Sequence, residues 1–365
     1  MTCHVINNTP FRAQALPHVD PAGRSNMLLL VKGSWLLSSM PHVAAQLAPA
    51  ERQLPIYRTG LRQTLGSLAL DEAQAGIVAP RRDAVWERFE TDLVSPKPRF
   101  DVLVNAWAVS PDGQPRPSID AAVDYTRAGQ RHCLLALRAH APRVWRAGAG
   151  SLGRLVPTLL APARQVPLLR PFAFGGQALQ DDGHSVSYEA NPDGLGFHRS
   201  RRTAKDAALP WVGSVQTALR YWDDVAAPAA LGHVPPHHLP RRGLQGTLDE
   251  QWQRQRAPHR PLDFDPRHHN AAPDALQLTE TPQPGDMLTL QHMAEQPQLH
   301  FCWPGLRLAA HAETRGGTRL PLQHAQWDTV LIEPAEGLAT LVWRAQFSPP
   351  PLQDIALVTL WAFAT

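Results

Sequence analysis

The sequence predicts a mainly β protein, a β-rich α+β fold of antiparallel sheets in a sandwich-like scaffold, with long Pro/Gly-rich loops and a few short helices. Three observations predict it. The 365 residues include 36 prolines, roughly twice the usual share of about 5%. Proline breaks helix interiors because it lacks a backbone donor, yet it is tolerated in turns, at strand ends and on edge strands. The apolar runs are short and bounded by turn residues. Hydrophobic residues still make up 43% of the chain, enough for a real core in one large unit or two domains.

Taken in order, the first strand is expected over 27–37, between a turn at Gly23 and Pro41. The Ala- and Gln-rich stretch 61–89 has room for a short helix, interrupted by Pro80. Residues 101–109 alternate in the strand manner and close on Pro111-Asp112-Gly113, a type I turn signature. Strands over 119–125 and 132–139, separated by Gly129, follow as further members of an antiparallel meander. Together these form an N-terminal β region, residues 1–147.

The middle, 148–284, is loop-rich, punctuated by Gly175-Gly176, Asn191-Pro192-Asp193-Gly194 and Pro235-Pro236. Its one helix signal is Thr247-Leu248-Asp249-Glu250, which reads as a capping box opening a helix at about 247–256 that stops before Pro258. A C-terminal β region, 285–365, carries strands over 286–291, 306–311, 328–333, 338–347 and 355–363 and packs with the N-terminal part.

Charge and cysteine usage narrow the function classes. The 35 Lys and Arg face 32 Asp and Glu, a net charge of +3. The doublets Arg81-Arg82, Arg201-Arg202 and Arg241-Arg242 are scattered, so no basic stripe points to nucleic acid. Three cysteines, Cys3, Cys133 and Cys302, are an odd and widely spaced set, neither a disulfide framework nor a metal ribbon. Cys133 and Cys302 lie in apolar runs and read as core residues. Residues 1–10 carry no secretory signal, and no apolar run approaches the roughly 18–20 residues of a membrane span. The expectation is a cytoplasmic protein without membrane partners.

Seventeen histidines make a metal or acid–base site worth seeking. His233, His237 and His238 share a segment, but Pro235 and Pro236 deny it the helix that would align two imidazoles. The densest polar cluster is Asp263, Asp265, His268 and His269, which admits two readings: a metal-dependent hydrolase, or turn residues beside ordinary histidines. His300 and Cys302 would share a face if the segment were a strand, without an evident activating group. Gly194 and Gly196 lack the strand–turn–helix setting of a dinucleotide site. No nucleophile elbow or phosphate loop occurs. No catalytic, metal or cofactor set is therefore expected.

Several stretches, in order along the chain, resemble the type VI secretion accessory proteins catalogued as a domain of unknown function and often encoded beside spike and toxin genes. Asn7 to Phe11 and Val31 to Trp35 resemble the family's start, and Pro96 to Val104 its next motif, with Lys97 and Asp101. Arg143-Val144-Trp145 resembles its Arg-x-Trp, although Ala141-Pro142 stand where the family carries Gly-Asp. Gly175-Gly176 and Asn191-Pro192-Asp193-Gly194-Leu195-Gly196 resemble its glycine-rich loops. Gly246 to Trp252, then Asp263, Asp265 and Asn270, resemble its best-marked stretch. The resemblance implies a non-enzymatic adaptor or chaperone. It would bind an effector toxin, or its PAAR-type tip, and help load it onto the trimeric spike protein. A structural component of the secretion apparatus is the other accessory role. Glycines at 175, 176, 194 and 196 are expected to shape protruding loops. Trp107, Trp145, Trp252, Trp303 and Trp343 are candidates for interface anchors or core, with core favoured for Trp107 and Trp343.

Overall fold

Thirteen strands carry the architecture of this computed structural model, which describes residues 3–20, 23–148, 153–180, 183–348 and 354–364. They are β1 (His4–Asn8), β2 (Arg12–Val19), β3 (Ser25–Leu36), β4 (Phe100–Val104), β5 (Ser118–Arg127), β6 (Gln130–His140), β7 (Val212–Ser214), β8 (Met287–Gln291), β9 (Gln298–Cys302), β10 (Leu306–Thr314), β11 (Gln323–Glu333), β12 (Leu338–Phe347) and β13 (Ile355–Ala364). Further strands of two to five residues form small ribbons. The β-rich reading of the sequence is correct.

The larger sheet runs β1-β13-β10-β11-β12-β3-β2 and nearly closes into a barrel. Closing a sheet removes its free edges, which would otherwise expose unpaired backbone groups. At β11 the sheet forks: its start pairs with β10 (Leu308 opposite Ala325), its end in parallel with β4 (Thr329 opposite Asp101). Residues 101–109 are thus not one alternating strand of a meander. They form β4, buried throughout, and a separate strand Trp107–Val109 that pairs with Gln165–Pro167. A strand covered on both faces needs no polar alternate positions.

The second sheet is antiparallel, in the order β7-β6-β5-β8-β9. The β5–β6 hairpin turns through Ala128 at φ 49° and Gly129 at φ 78°. Two successive positive φ angles match the twist that a two-residue hairpin loop requires. β9 has no counterpart among the expected strands. Cys133 on β6 is exposed, against the expectation of a core residue, while Cys302 on β9 is buried as expected.

The core spans both sheets and includes Leu29, Val31, Val123, Leu288 and Val358. Fully burying each such side chain is worth about 1.5–3 kcal/mol. Along β3 one face joins this core: the Trp35 and Trp343 rings lie 5.5 Å or less from Phe11 and 5.7 Å from each other. Gly33 is what admits Phe11, since a Cβ there would come within 2.5 Å of its ring. The opposite face of β3 is buried as well, and it carries Lys32 and Ser34.

The described residues include four short helices: α1 (Glu72–Val78), α2 (Arg201–Ala204), α3 (Leu239–Arg242) and α4 (Glu250–Gln255). α1 fulfils the helix expected before Pro80 and opens on an Asp71/Gln74 capping box. α4 starts later than expected, because Asp249 rather than Thr247 caps it, accepting from the Trp252 amide at 2.8 Å. Among the described residues no helix is long and apolar enough to cross a membrane.

Candidate functional site

Lys97, Asp101 and Asn270 meet inside the protein. Lys97 Nζ lies 2.7 Å from Asp101 Oδ2. Asn270 donates to Asp101 Oδ1 at 2.9 Å and to the Arg99 carbonyl at 2.7 Å, while the Ala271 amide donates to Asp101 Oδ2 at 2.8 Å. The chain of charges continues. The Lys97 amide donates to Asp328 at 3.1 Å, Asp328 pairs with Arg344, and Arg344 donates to the Asp92 carbonyl at 3.1 Å. Asp92 in turn pairs with Lys32 Nζ at 2.9 Å, and that ammonium sits 4.3 Å from the centre of the Tyr57 ring. Asp101 and Asn270 are fully buried, so these groups are beyond reach of a substrate. Buried ion pairs add little net stability over apolar packing. Their effect here is to set the register of 88–101 and 268–271 against the barrel.

The glycine-rich loops are a second tie, not protrusions. Asn191 is fully buried and donates to the carbonyls of Arg170 at 3.1 Å and Phe174 at 3.0 Å. Gly175 sits at φ 150° with the Asn191 carbonyl where a Cβ would stand. A Cβ on Gly194 would meet Asn191 Nδ2 at 2.5 Å and the Ala173 carbonyl at 2.7 Å. Gly176 and Gly196 also hold positive φ, the former receiving the Asn191 carbonyl on its amide at 2.9 Å. Pro192 is half-buried in the turn that follows Asn191.

Trp145, Trp303 and Trp343 are core residues; Trp107 is half-buried. Trp145 centres a small separate cluster with Leu155, Ala204 and Leu209. Beside it Arg143 donates to the Pro210 carbonyl at 3.2 Å, and burial pulls its pKa down to about 10. Trp252 on α4 is half-buried and donates to the His259 carbonyl at 2.9 Å.

The Asp263, Asp265, His268 and His269 cluster does not converge. Asp263 accepts from the Thr247 amide at 3.0 Å and hydroxyl at 2.7 Å. Asp265 caps the 3-10 turn Pro266–His269 and pairs with Arg267. His268 donates to the Arg241 carbonyl at 2.9 Å. His269 is buried, and that burial pushes its pKa down to about 3. Asp263, Asp265 and His268 each bond a different local partner, so the four residues do not assemble one metal or acid–base site.

A different polar cluster does converge. Asp193 Oδ2 lies 2.9 Å from Nε2 of both His237 and His238. These three residues bring possible metal-ligand atoms within 4.8 Å of one another. Arg170 decides their chemistry, because its Nε donates to His238 Nδ1 at 2.9 Å. An arginine has no acceptor. His238 Nδ1 must therefore hold a lone pair and Nε2 the proton, which it donates to Asp193. With that proton in place His238 Nε2 offers no lone pair to a cation. Burial lowers the His238 pKa, reinforcing the neutral form, while the bonds from His238 and His237 lower that of Asp193. The group is an Arg–His–Asp–His hydrogen-bonded chain, and it does not fit a metal through His238. Pro235 and Pro236 exclude a helix, as expected, but the turn they make delivers His237 and His238 to Asp193.

Residues 57–344 match the model of a family described as an uncharacterized protein conserved in bacteria (DUF2169). The chain belongs to the DUF2169 family. No curated protein and no solved structure matches it. The region shared with DUF2169 holds both the Lys97–Asp101–Asn270 tie and the Asp193–His237–His238 chain. The latter gave no local signal in the sequence, since its parts lie 44 and 45 residues apart.

Proposed function

We propose that this DUF2169 protein is a non-enzymatic accessory protein of a type VI secretion system. It acts in the cytoplasm as an adaptor that binds an effector toxin or its PAAR-type tip and helps load it onto the trimeric spike. One observation carries the reading. Lys97, Asp101, Asn191 and Asn270, four of the residues that carry the resemblance to the secretion accessory family, have their side chains turned inward to tie loops to the barrel. These four residues maintain a scaffold, and recognition is left to the surface. That division suits a protein whose task is to bind other proteins.

Co-expression with the effector and spike genes encoded beside it tests the proposal. A complex with the toxin or its tip domain that survives size-exclusion chromatography is expected. Binding to neither, or stoichiometric recovery with sheath or baseplate instead, would remove the adaptor role.

A further inference from the structure

The ribbon formed by Leu61–Thr64 and Val85–Phe89 walls two adjoining cavities that share Arg62, Glu87 and Pro236. The first, about 260 Å³, lies between Trp86, Leu231 and the prolines 171, 235 and 236. Three buried polar atoms of its lining residues have no partner among the described residues: Trp86 Nε1, His233 Nδ1 and Asn191 Oδ1. Their roles follow from chemistry. The indole nitrogen is a donor and the amide oxygen an acceptor. His233 Nε2 accepts from the Glu90 amide at 3.4 Å, so its Nδ1 carries the proton. His233 and Asn191 are only 6% and 0% exposed. Leaving such donors unsatisfied is unfavourable, and a ligand carbonyl within the cavity would satisfy them.

The second cavity, about 510 Å³, is lined by Arg58, Arg62, Arg241 and Arg260 against the carboxylates Glu87 and Glu90. Glu90 is paired with Arg241, and Glu87 lies 4.0 Å from Arg62. The Arg58 guanidinium donates to Gln14 Oε1 at 3.3 Å, and the Arg260 guanidinium lies 5.0 Å from the centre of the Phe264 ring. Two guanidiniums therefore face this cavity without a carboxylate partner among the described residues. His18, His268 and His269 share the wall, and burial disfavours the charge on all three.

We propose that the two cavities form one groove for an extended acidic polypeptide segment of the partner. Its main-chain carbonyls would accept from Trp86 and His233, and its carboxylates would meet Arg58 and Arg260. Aromatic-lined grooves suit extended chains, whose backbone groups are free to bond, and the unpaired arginines select the charge. This deepens the adaptor reading and rests on it for the identity of the partner.

The probe is a displayed library of random 12-residue peptides, panned against the full chain. Selected peptides should be enriched in Asp and Glu. They should bind the Arg58→Glu/Arg260→Glu variant at least tenfold more weakly, and Trp86→Phe more weakly too. Both arginines are exposed, and matching thermal melts would show that the variants remain folded. A panning that yields no binder, peptides without acidic enrichment, or equal affinity for the charge-reversed variant would overturn the groove. The co-expressed toxin separates the two readings. Equal binding of the toxin to wild type and R58E/R260E removes the groove and leaves the adaptor. Acidic peptides held in the groove while the toxin fails to bind do the opposite.

Discussion

Asn270 donates its side-chain amide to Asp101 at 2.9 Å, joining residues 169 positions apart in a fully buried contact. The same carboxylate neutralises Lys97 and receives the Ala271 amide. One aspartate thereby fixes β4, the segment before it and the 268–271 turn at once.

Asp101→Ala would leave the Lys97 ammonium buried without its counter-charge. The expected loss is about 3–5 kcal/mol, read as a fall in the urea unfolding midpoint. Asn270→Ala, which removes two donors but no charge, should cost about 1–3 kcal/mol. Lys97→Met combined with Asp101→Leu should recover part of the single-variant loss, since an apolar pair is not penalised for desolvation. A double variant as unstable as D101A would show that the Asn270 and Ala271 bonds dominate.

The Asn191 loop makes a steric prediction. Gly194→Ala places a methyl group against Asn191 Nδ2 and the Ala173 carbonyl, and overpacking of this kind costs about 1–3 kcal/mol. Gly113→Ala is the control: nothing lies within 4 Å of a Cβ there, so only the strain of its φ of 68° remains. Thermal melts should rank Gly194→Ala below Gly113→Ala.

Acid should destabilise the fold through buried histidines, His140, His233 and His269 among them. Burial holds His233 at about 4 and His269 at about 3, below the ordinary 6.5. Between those values the unfolded chain takes up protons that the folded chain refuses. Stability is fully present above pH 6.5 and is lost as pH falls, by about 1 kcal/mol per pH unit for each histidine. Urea midpoints measured from pH 7 to 5 should fall accordingly, and a His233→Met/His269→Met variant should show a flatter slope. An unchanged slope would place the acid sensitivity elsewhere.

The Arg170–His238 bond predicts a fixed tautomer. Nitrogen NMR of histidine-labelled protein should show His238 neutral and protonated on Nε2 at pH 7. Equimolar zinc should leave those signals in place. A signal from Nδ1–H, or a zinc-induced shift at His238, would contradict the direction of the Arg170 hydrogen bond.

Much of the fold was legible because strands with one buried face, or long apolar runs, announce themselves locally. The expected 338–347 coincides with β12, and the helix before Pro80 is α1. β4 was harder to place: its five residues are all buried, so periodicity carried no information about its parallel partner β11. The Thr247 capping box failed for a related reason. Its local motif was sound, but Asp263, 16 residues on, captured the threonine hydroxyl.

By itself the sequence determined the strand-rich composition, the shortness of the helices, the positions of most long strands and the turns at Gly and Pro. Those properties depend on backbone conformation and burial pattern within a few residues. Tertiary structure alone decided which polar groups meet. It separated Asp263, Asp265, His268 and His269, which are neighbours in sequence, and joined Asp193 to His237 and His238, which are not. Hydrogen bonds and charge pairs act over about 3 Å, so their partners are set by how the loops cross the barrel rather than by spacing along the chain.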